Sequence, residues 1–386
     1  MKTQIVNAKI VTAERVVERG VCTFENGVIA YVGTEKQNSD RTIDVGGRYL
    51  LPGFVDVHCH GGNGLDFMDA TAAEMKKIAD FHLSHGTTTM LATTLAASEE
   101  ETLSSLDTFA SYKRENADGT LVGVHLEGPC LSPLQCGAQA VESMRSPKDF
   151  DLRAVKERYP FVLKVSAAPE LDGGFAFGRT GKELGITMSA AHTDADWTEM
   201  ERALENGYSS VTHLYSGMRG VTRKNSFRTA GAVEAGLYLD GYTVEVISDG
   251  RHLPPELLKL IYKCKGADKI CLVTDGTRAA GMKNGSVSTI GSLKNGLPVV
   301  VEDEVAKLLD RQSFAGSTAT FDRLYRMMAA AIGKDMVALS KMSSLTPARS
   351  VGLFDRGEIA VGKRADMLVA SEDLEIKEIY LRGERI

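Results

Sequence analysis

The sequence has little with which to cross-link itself, to enter a membrane or to hold a polyanion. Its six cysteines, Cys22, Cys59, Cys130, Cys136, Cys264 and Cys271, show no C-x-x-C spacing, and several fall inside apolar stretches. A disulfide framework is therefore not expected. No apolar run reaches the length of a membrane span. The opening "MKTQIVNAKIVTAERVVERG" has no continuous apolar stretch before its charges arrive. Positive charge is not in excess either: 45 Lys and Arg against 51 Asp and Glu leave a formal net charge of −6. That balance argues against a general nucleic-acid or membrane surface and confines any anion site to a local cluster. Internal repeats and low-complexity segments are also missing. What remains is a chain of 386 residues, 43% hydrophobic and 25% charged, the balance of an ordinary globular protein with a large core. A cytoplasmic protein is expected, with neither nucleic acid nor membrane among its partners.

Local patterns divide the chain. The first fifty residues alternate short β-rich runs with turn signals, as in "VCTFENGVIAYVG", where Asn26-Gly27 marks a hairpin. From Leu51 strand-like runs alternate with amphipathic helical stretches. "TAAEMKKIADFHLSHG" opens with a capping box, Thr71 to Glu74, and closes on Gly86; "SEEETLSSLDTFASYKR" repeats the device with Ser98 and Glu101. Eight strand candidates follow in order: "FVDVHCH", "GTTTMLATT", "TLVGVHLEGP", "FVLKVSAAP", "GITMSAAH", "SSVTHLYS", "TVEVISDG" and "KICLVTDG". Eight alternating units predict an α/β fold, a (β/α)8 TIM barrel over residues 51–345. The tail returns to short alternating strands, so residues 1–50 and 346–386 are expected to form one small discontinuous β-sandwich domain.

The histidines are few, eight in all, and unevenly placed. In "LPGFVDVHCHGG" the strand alternation puts Asp56, His58 and His60 on one face and Val55, Val57 and Cys59 on the other. An H-x-H pair at a strand end suits a metal. In a barrel the chemistry sits at the C-terminal ends of the strands. The first strand ends in His58 and His60, the third in Glu127, the fifth in His192 and the sixth in His213. The seventh ends in Asp249 with His252 just beyond, and the eighth in Asp275. Scattered structural use would not place five of eight histidines there. His82 and His85 lie in the last turn of a helix, where imidazolium is welcome without chemistry. His125, two residues before Glu127, fits a supporting role. Neither Cys130 nor Cys136 is counted as a ligand. Imidazole and carboxylate suit zinc, iron or manganese alike.

The motifs "PGFVDVHCHG", "HLEGP", "AAHTDA", "THLYSGM", "SDGRHL", "LVTDGTRAAG" and "FAGSTAT" together resemble those of the amidohydrolase superfamily and, within it, the N-acetylglucosamine-6-phosphate deacetylase family. The resemblance implies that Glu127, His192 and His213 bind one catalytic divalent metal, zinc first among the candidates. His58 and His60 would supply a second site, with Glu127 bridging the two metals so that no lysine on the fourth strand is needed. Asp275 would be the acid/base and His252 would contact substrate. The chain departs from the family at "GAQ", where Gln139 stands in place of a sugar-contacting histidine, and in the basic run "HLYSGMRGVTRKNSFRTAG". Aligning R-x-x-G puts Arg228 on the family's phosphate-binding arginine, which reaches in from a neighbouring subunit; Arg223 is the runner-up. A homodimer is implied. The expected reaction is removal of the N-acetyl group from N-acetylglucosamine 6-phosphate. Alternatives are a different N-acyl amino-sugar phosphate such as the galactosamine epimer, another amidohydrolase reaction on a cyclic amide, and a non-catalytic barrel scaffold. The inward charged cluster, costly to a scaffold, weighs against the last.

Overall fold

The computed structural model describes residues 1–386 apart from the side chain of Lys224, which lies outside the described residues. Eight strands form the central sheet: β1 (Phe54–Cys59), β2 (Thr87–Thr94), β3 (Leu121–Glu127), β4 (Val162–Ala167), β5 (Thr187–Ala190), β6 (Tyr208–Val211), β7 (Thr243–Val246) and β8 (Ile270–Leu272). Each pairs in parallel with the next in sequence order. The sheet curls until β1 meets the segment after β8: the Asp275 N–H donates to the His58 carbonyl at 2.9 Å, and the His60 N–H to Gly276 at 2.7 Å. This is the TIM-like architecture expected from the alternation, and each of the eight strands overlaps one of the candidate runs.

The helices obey their local signals. Helix α1 (Ala72–Leu83) carries the Thr71–Glu74 capping box and α2 (Glu99–Glu115) the Ser98–Glu101 box, each satisfying first-turn amides that would otherwise lack partners. Their apolar faces, including Met75, Ile78, Phe109 and Tyr112, join one core with Met200, Ile261, Phe321 and Tyr325 around the strands. Ala348, in the short helix Thr346–Ser350, packs with Val55, Val57, Leu91, Ile247 and Val273.

The two ends of the chain build an eight-stranded, mostly antiparallel sheet. Leu51 faces Leu368 where Tyr49–Pro52 pairs with Met367–Ala370. Asn26 and Gly27, at φ 52° and 78°, make the tight turn that the Asn-Gly pair predicts. Ile5, Ile10, Phe24, Leu50, Met367 and Tyr380 give this sheet its own core. The six cysteines are free, and among the described residues no helix is long and apolar enough to cross a membrane.

One element has no counterpart in the sequence reading. Between β8 and helix α3 (Phe321–Ile332), the strands Val287–Ile290, Leu297–Glu302 and Val305–Leu308 form a three-stranded antiparallel insertion. Buried Arg278 anchors it, donating to both Asp69 oxygens and to the Gly291 and Gly64 carbonyls.

Candidate active site

The strand ends deliver six polar side chains to one buried point. At β1, the carboxylate of Asp56 accepts from the His58 N–H at 3.2 Å and from the Thr274 hydroxyl, tying the first strand to the segment after the eighth. The next residue turns the other way, the Cys59 thiol lying 3.2 Å from His82 Nε2 on α1. His192, His213 and Asp275 all have positive φ, 41°, 27° and 46°, a backbone conformation costing roughly 1–3 kcal/mol at each non-glycine residue. The chain bends sharply where each of these strands ends, at the residue whose side chain enters the site.

Glu127 is the hub. Its Oε1 lies 2.9 Å from His213 Nε2, 3.4 Å from His192 Nε2 and 3.6 Å from His58 Nε2, and its Oε2 lies 3.4 Å from His60 Nε2. Asp275 Oδ1 stands 3.2 Å from His60 Nε2 and 3.4 Å from His58 Nε2. Burial pushes the Asp275 carboxyl up, but the imidazoles of His58 and His60 outweigh it and hold it at about 2, so its resting form is the carboxylate. The two β1 histidines move in opposite directions. Burial takes His58 down to about 4, whereas His60, despite burial, is raised to about 9 by Asp275 and Glu127. Without a bound cation a proton sits between the facing Nε2 atoms of this pair, in the place a cation takes, and both rings are neutral once it is displaced.

The hydrogen-bond directions fit a bound cation. His58 Nδ1 faces a Glu245 oxygen at 2.9 Å, His60 Nδ1 the Thr93 carbonyl at 3.2 Å and His192 Nδ1 the Gln135 carbonyl at 2.7 Å. These partners only accept, so each Nδ1 carries a proton, and in the neutral ring each Nε2 offers a lone pair. The Nε2 atoms of His58 and His60 are then 3.1 Å apart with lone pairs facing, and His192 points its own at a carboxylate. A cation among them relieves that repulsion. His213 differs, its Nε2 on Glu127 and its Nδ1 buried without a partner. Two overlapping sets, Glu127–His192–His213 and His58–His60–Glu127, each offer ligand atoms within 4.8 Å of one another.

A cavity of about 210 Å³ opens above this cluster, lined by His60, Glu127, His192, His213, His252 and Asp275 on one side and by Leu95, Ile290 and Phe314 on another. His252 Nδ1 is held by Asp249 at 2.8 Å, and its ring packs edge-on to Phe314. Gln139 also lines the cavity; its amide donates to Glu127 Oε2 and accepts from the Ala96 N–H at 2.8 Å. Arg223 and Arg228 are elsewhere. They face each other across the exposed hairpin Thr222–Lys224 and Phe227–Thr229 and do not line the cavity of their own chain. His125 lies beneath the cluster and bonds Ser166 at 2.7 Å, while His85 pairs with Asp322.

Two charged residues at the floor of the site escaped the sequence reading. Strand four does carry a lysine, Lys164, but its ammonium is turned to Glu245 of β7 rather than to the cavity. A single charge in the middle of each apolar run, "VLKVSA" and "TVEV", was the signal. Ile290 was missed with the insertion that supplies it, and Phe314, the first residue of "FAGSTAT", carried no sign in the sequence that it walls the cavity.

Residues 49–386 match the profile of the Amidohydrolase family. The chain belongs to that family. It is 33% identical over 384 residues to the N-acetylglucosamine-6-phosphate deacetylase of Bacillus subtilis (strain 168), covering 97% of this chain and 94% of that one. Against the N-acetylgalactosamine-6-phosphate deacetylase of Escherichia coli O157:H7 the identity is 30% over 338 residues, 87% of each. The fold superposes with a TM-score of 0.90 and 30% identity on an Asp-to-Ala variant of N-acetyl-D-glucosamine-6-phosphate deacetylase from Mycobacterium smegmatis in complex with N-acetyl-D-glucosamine-6-phosphate, covering 100% of this chain and 99% of the other. Amidohydrolases are metal-dependent enzymes, and the donor sets of this member suit that chemistry.

Proposed function

We propose that this amidohydrolase removes the acetyl group of N-acetylglucosamine 6-phosphate, giving glucosamine 6-phosphate and acetate. The observation that carries the reading is the convergence of imidazole lone pairs on Glu127 beside an ionised Asp275 at the bottom of a cavity. Glu127, His192 and His213 would hold the catalytic divalent ion, zinc before iron or manganese, and His58 and His60 a second. Bound there, the ion would supply Lewis acidity toward a water and the amide carbonyl. Asp275 accepts the proton of the attacking water and passes it to the departing nitrogen, since an amine anion is too poor a leaving group to depart unprotonated. Asp249 fixes the His252 ring, leaving Nε2 to orient the sugar. Gln139 occupies the sugar-facing place and steadies Glu127.

The phosphate falls to Arg228, with Arg223 second. Both are exposed and absent from their own cavity, so they would serve the site of a second copy in a cytoplasmic homodimer. Like charges directly opposite on a hairpin are unfavourable without an anion between them. The galactosamine epimer is a second reading, which Gln139, a neutral amide lining the cavity, and the altered basic run would permit. Purified protein assayed on both epimers, with and without 6-phosphate, and again after chelation, tests the assignment. Acetate release from N-acetylglucosamine 6-phosphate, lost on chelation and restored by added metal, is the expected result. No release from any of these sugars would refute the proposal.

A further inference from the structure

Beneath the cavity lies a buried ion pair that the proposed chemistry does not use. Lys164 in β4 and Glu245 in β7 are 1% and 0% exposed, and the ammonium bonds Glu245 Oε1 directly. The other oxygen, Oε2, accepts from His58 Nδ1 at 2.9 Å and from the His213 backbone N–H at 3.1 Å. One carboxylate thereby touches residues of β1 and β4 and the end of β6. Of the polar groups around it, His125 Nε2 bonds Ser166, and Ser166 and Ser189 both bond Thr212, while His125 Nδ1 is buried without a partner. A buried ion pair is weak evidence of stabilisation, because apolar residues of similar volume usually serve as well. Its presence here calls for a directional reason.

We propose that Glu245 and Lys164 are positioning residues for the second metal position, that of His58 and His60. An acceptor at Nδ1 keeps the His58 proton there and leaves the Nε2 lone pair facing His60, 3.1 Å away. Without it, His58 can carry its proton on Nε2 and close the position. Lys164 cancels the charge of Glu245, so the ring is oriented without adding a negative charge beneath Glu127 and Asp275. At the first position Glu245 touches only the His213 backbone N–H, while the side chain of His192 is turned by the Gln135 carbonyl and that of Glu127 by Gln139.

The inference rests on the metal-dependent reading but fails separately from it. Bound metal would be counted by plasma mass spectrometry and by calorimetric titration with zinc in the full-length protein and two variants. Both remove the ion pair together, so neither leaves a lone buried charge. Lys164→Met/Glu245→Met removes the acceptor, whereas Lys164→Met/Glu245→Gln keeps an amide oxygen free to turn to His58. The expected stoichiometry is two equivalents for the wild type and the Gln variant. In the Met variant one equivalent remains and the second weakens at least 10-fold. Two tightly held equivalents in the Met variant would overturn the proposal, as would one in the Gln variant or in the wild type. A wild type that binds none would instead undo the metal-dependent reading itself.

Discussion

Asp275 illustrates how one residue receives its chemistry from neighbours distant in sequence. Its carboxylate is buried, and two imidazoles from β1 keep it ionised against that burial. Asp275→Asn retains the shape and removes the proton acceptor. Turnover is expected to fall about 10²-fold or more, with metal content and substrate affinity largely kept, as measured by steady-state kinetics and metal analysis on one preparation. A loss below tenfold would assign the proton to another group. Gln139 shows the limit of reading a residue from its position alone. Its place in "HLEGPCLSPLQCGAQ" marks it as a sugar contact, yet only the folded chain reveals that its amide also spans Glu127 and the backbone of Ala96.

At the scale of elements, the three-stranded insertion is held between the barrel and α3, and the start of that helix is a joint. Asp322 in its first turn accepts from Thr320 at 2.6 Å and from Arg326 at 2.9 Å, and lies 3.3 Å from His85 beyond α1. Burial pushes its carboxyl up, but His85, Thr320 and Arg326 together hold it well below the usual carboxylate range. A depressed folded-state pKa stabilises the fold above the unfolded value, about 3.9, and the contribution disappears as pH falls through the folded value. Asp322→Asn should therefore cost about 1–2 kcal/mol at pH 7, with the gap to wild type narrowing below about pH 4. Urea melts across that range read it directly. A gap unchanged at pH 2.5 would mean that the carboxylate charge is not the source.

At the scale of the whole molecule, an acidic chain of net charge −6 displays a local basic hairpin away from its own cavity. If Arg228 reaches the phosphate of a partner's substrate, Arg228→Ala should lower kcat/KM for the 6-phosphate by roughly 10- to 100-fold, the worth of one charge-assisted contact. The unphosphorylated sugar should be unaffected. If the protein pairs in this way, neither variant alone should turn over well, but mixing Arg228→Ala with Asp275→Asn should recover activity, since one site in each hybrid would combine an intact Asp275 with an intact Arg228. A mixture no more active than its parts would place the phosphate contact within a single chain or elsewhere.

The sequence by itself determined what depends on neighbours a few residues away. The eight strands and the capped helices follow from periodicity and capping, which act within one or two turns. So does the shared face of His58 and His60, because strand alternation is local. The three-stranded insertion stayed hidden because its short runs give no helix alternation to frame them, and its anchor, Arg278 to Asp69, spans 209 positions. Lys164 and Glu245 were visible as isolated charges in apolar strands, but 81 positions separate them. Only closure of the barrel, which brings β4 across from β7 and β1 against the end of β8, decided that they meet, and that they meet under His58.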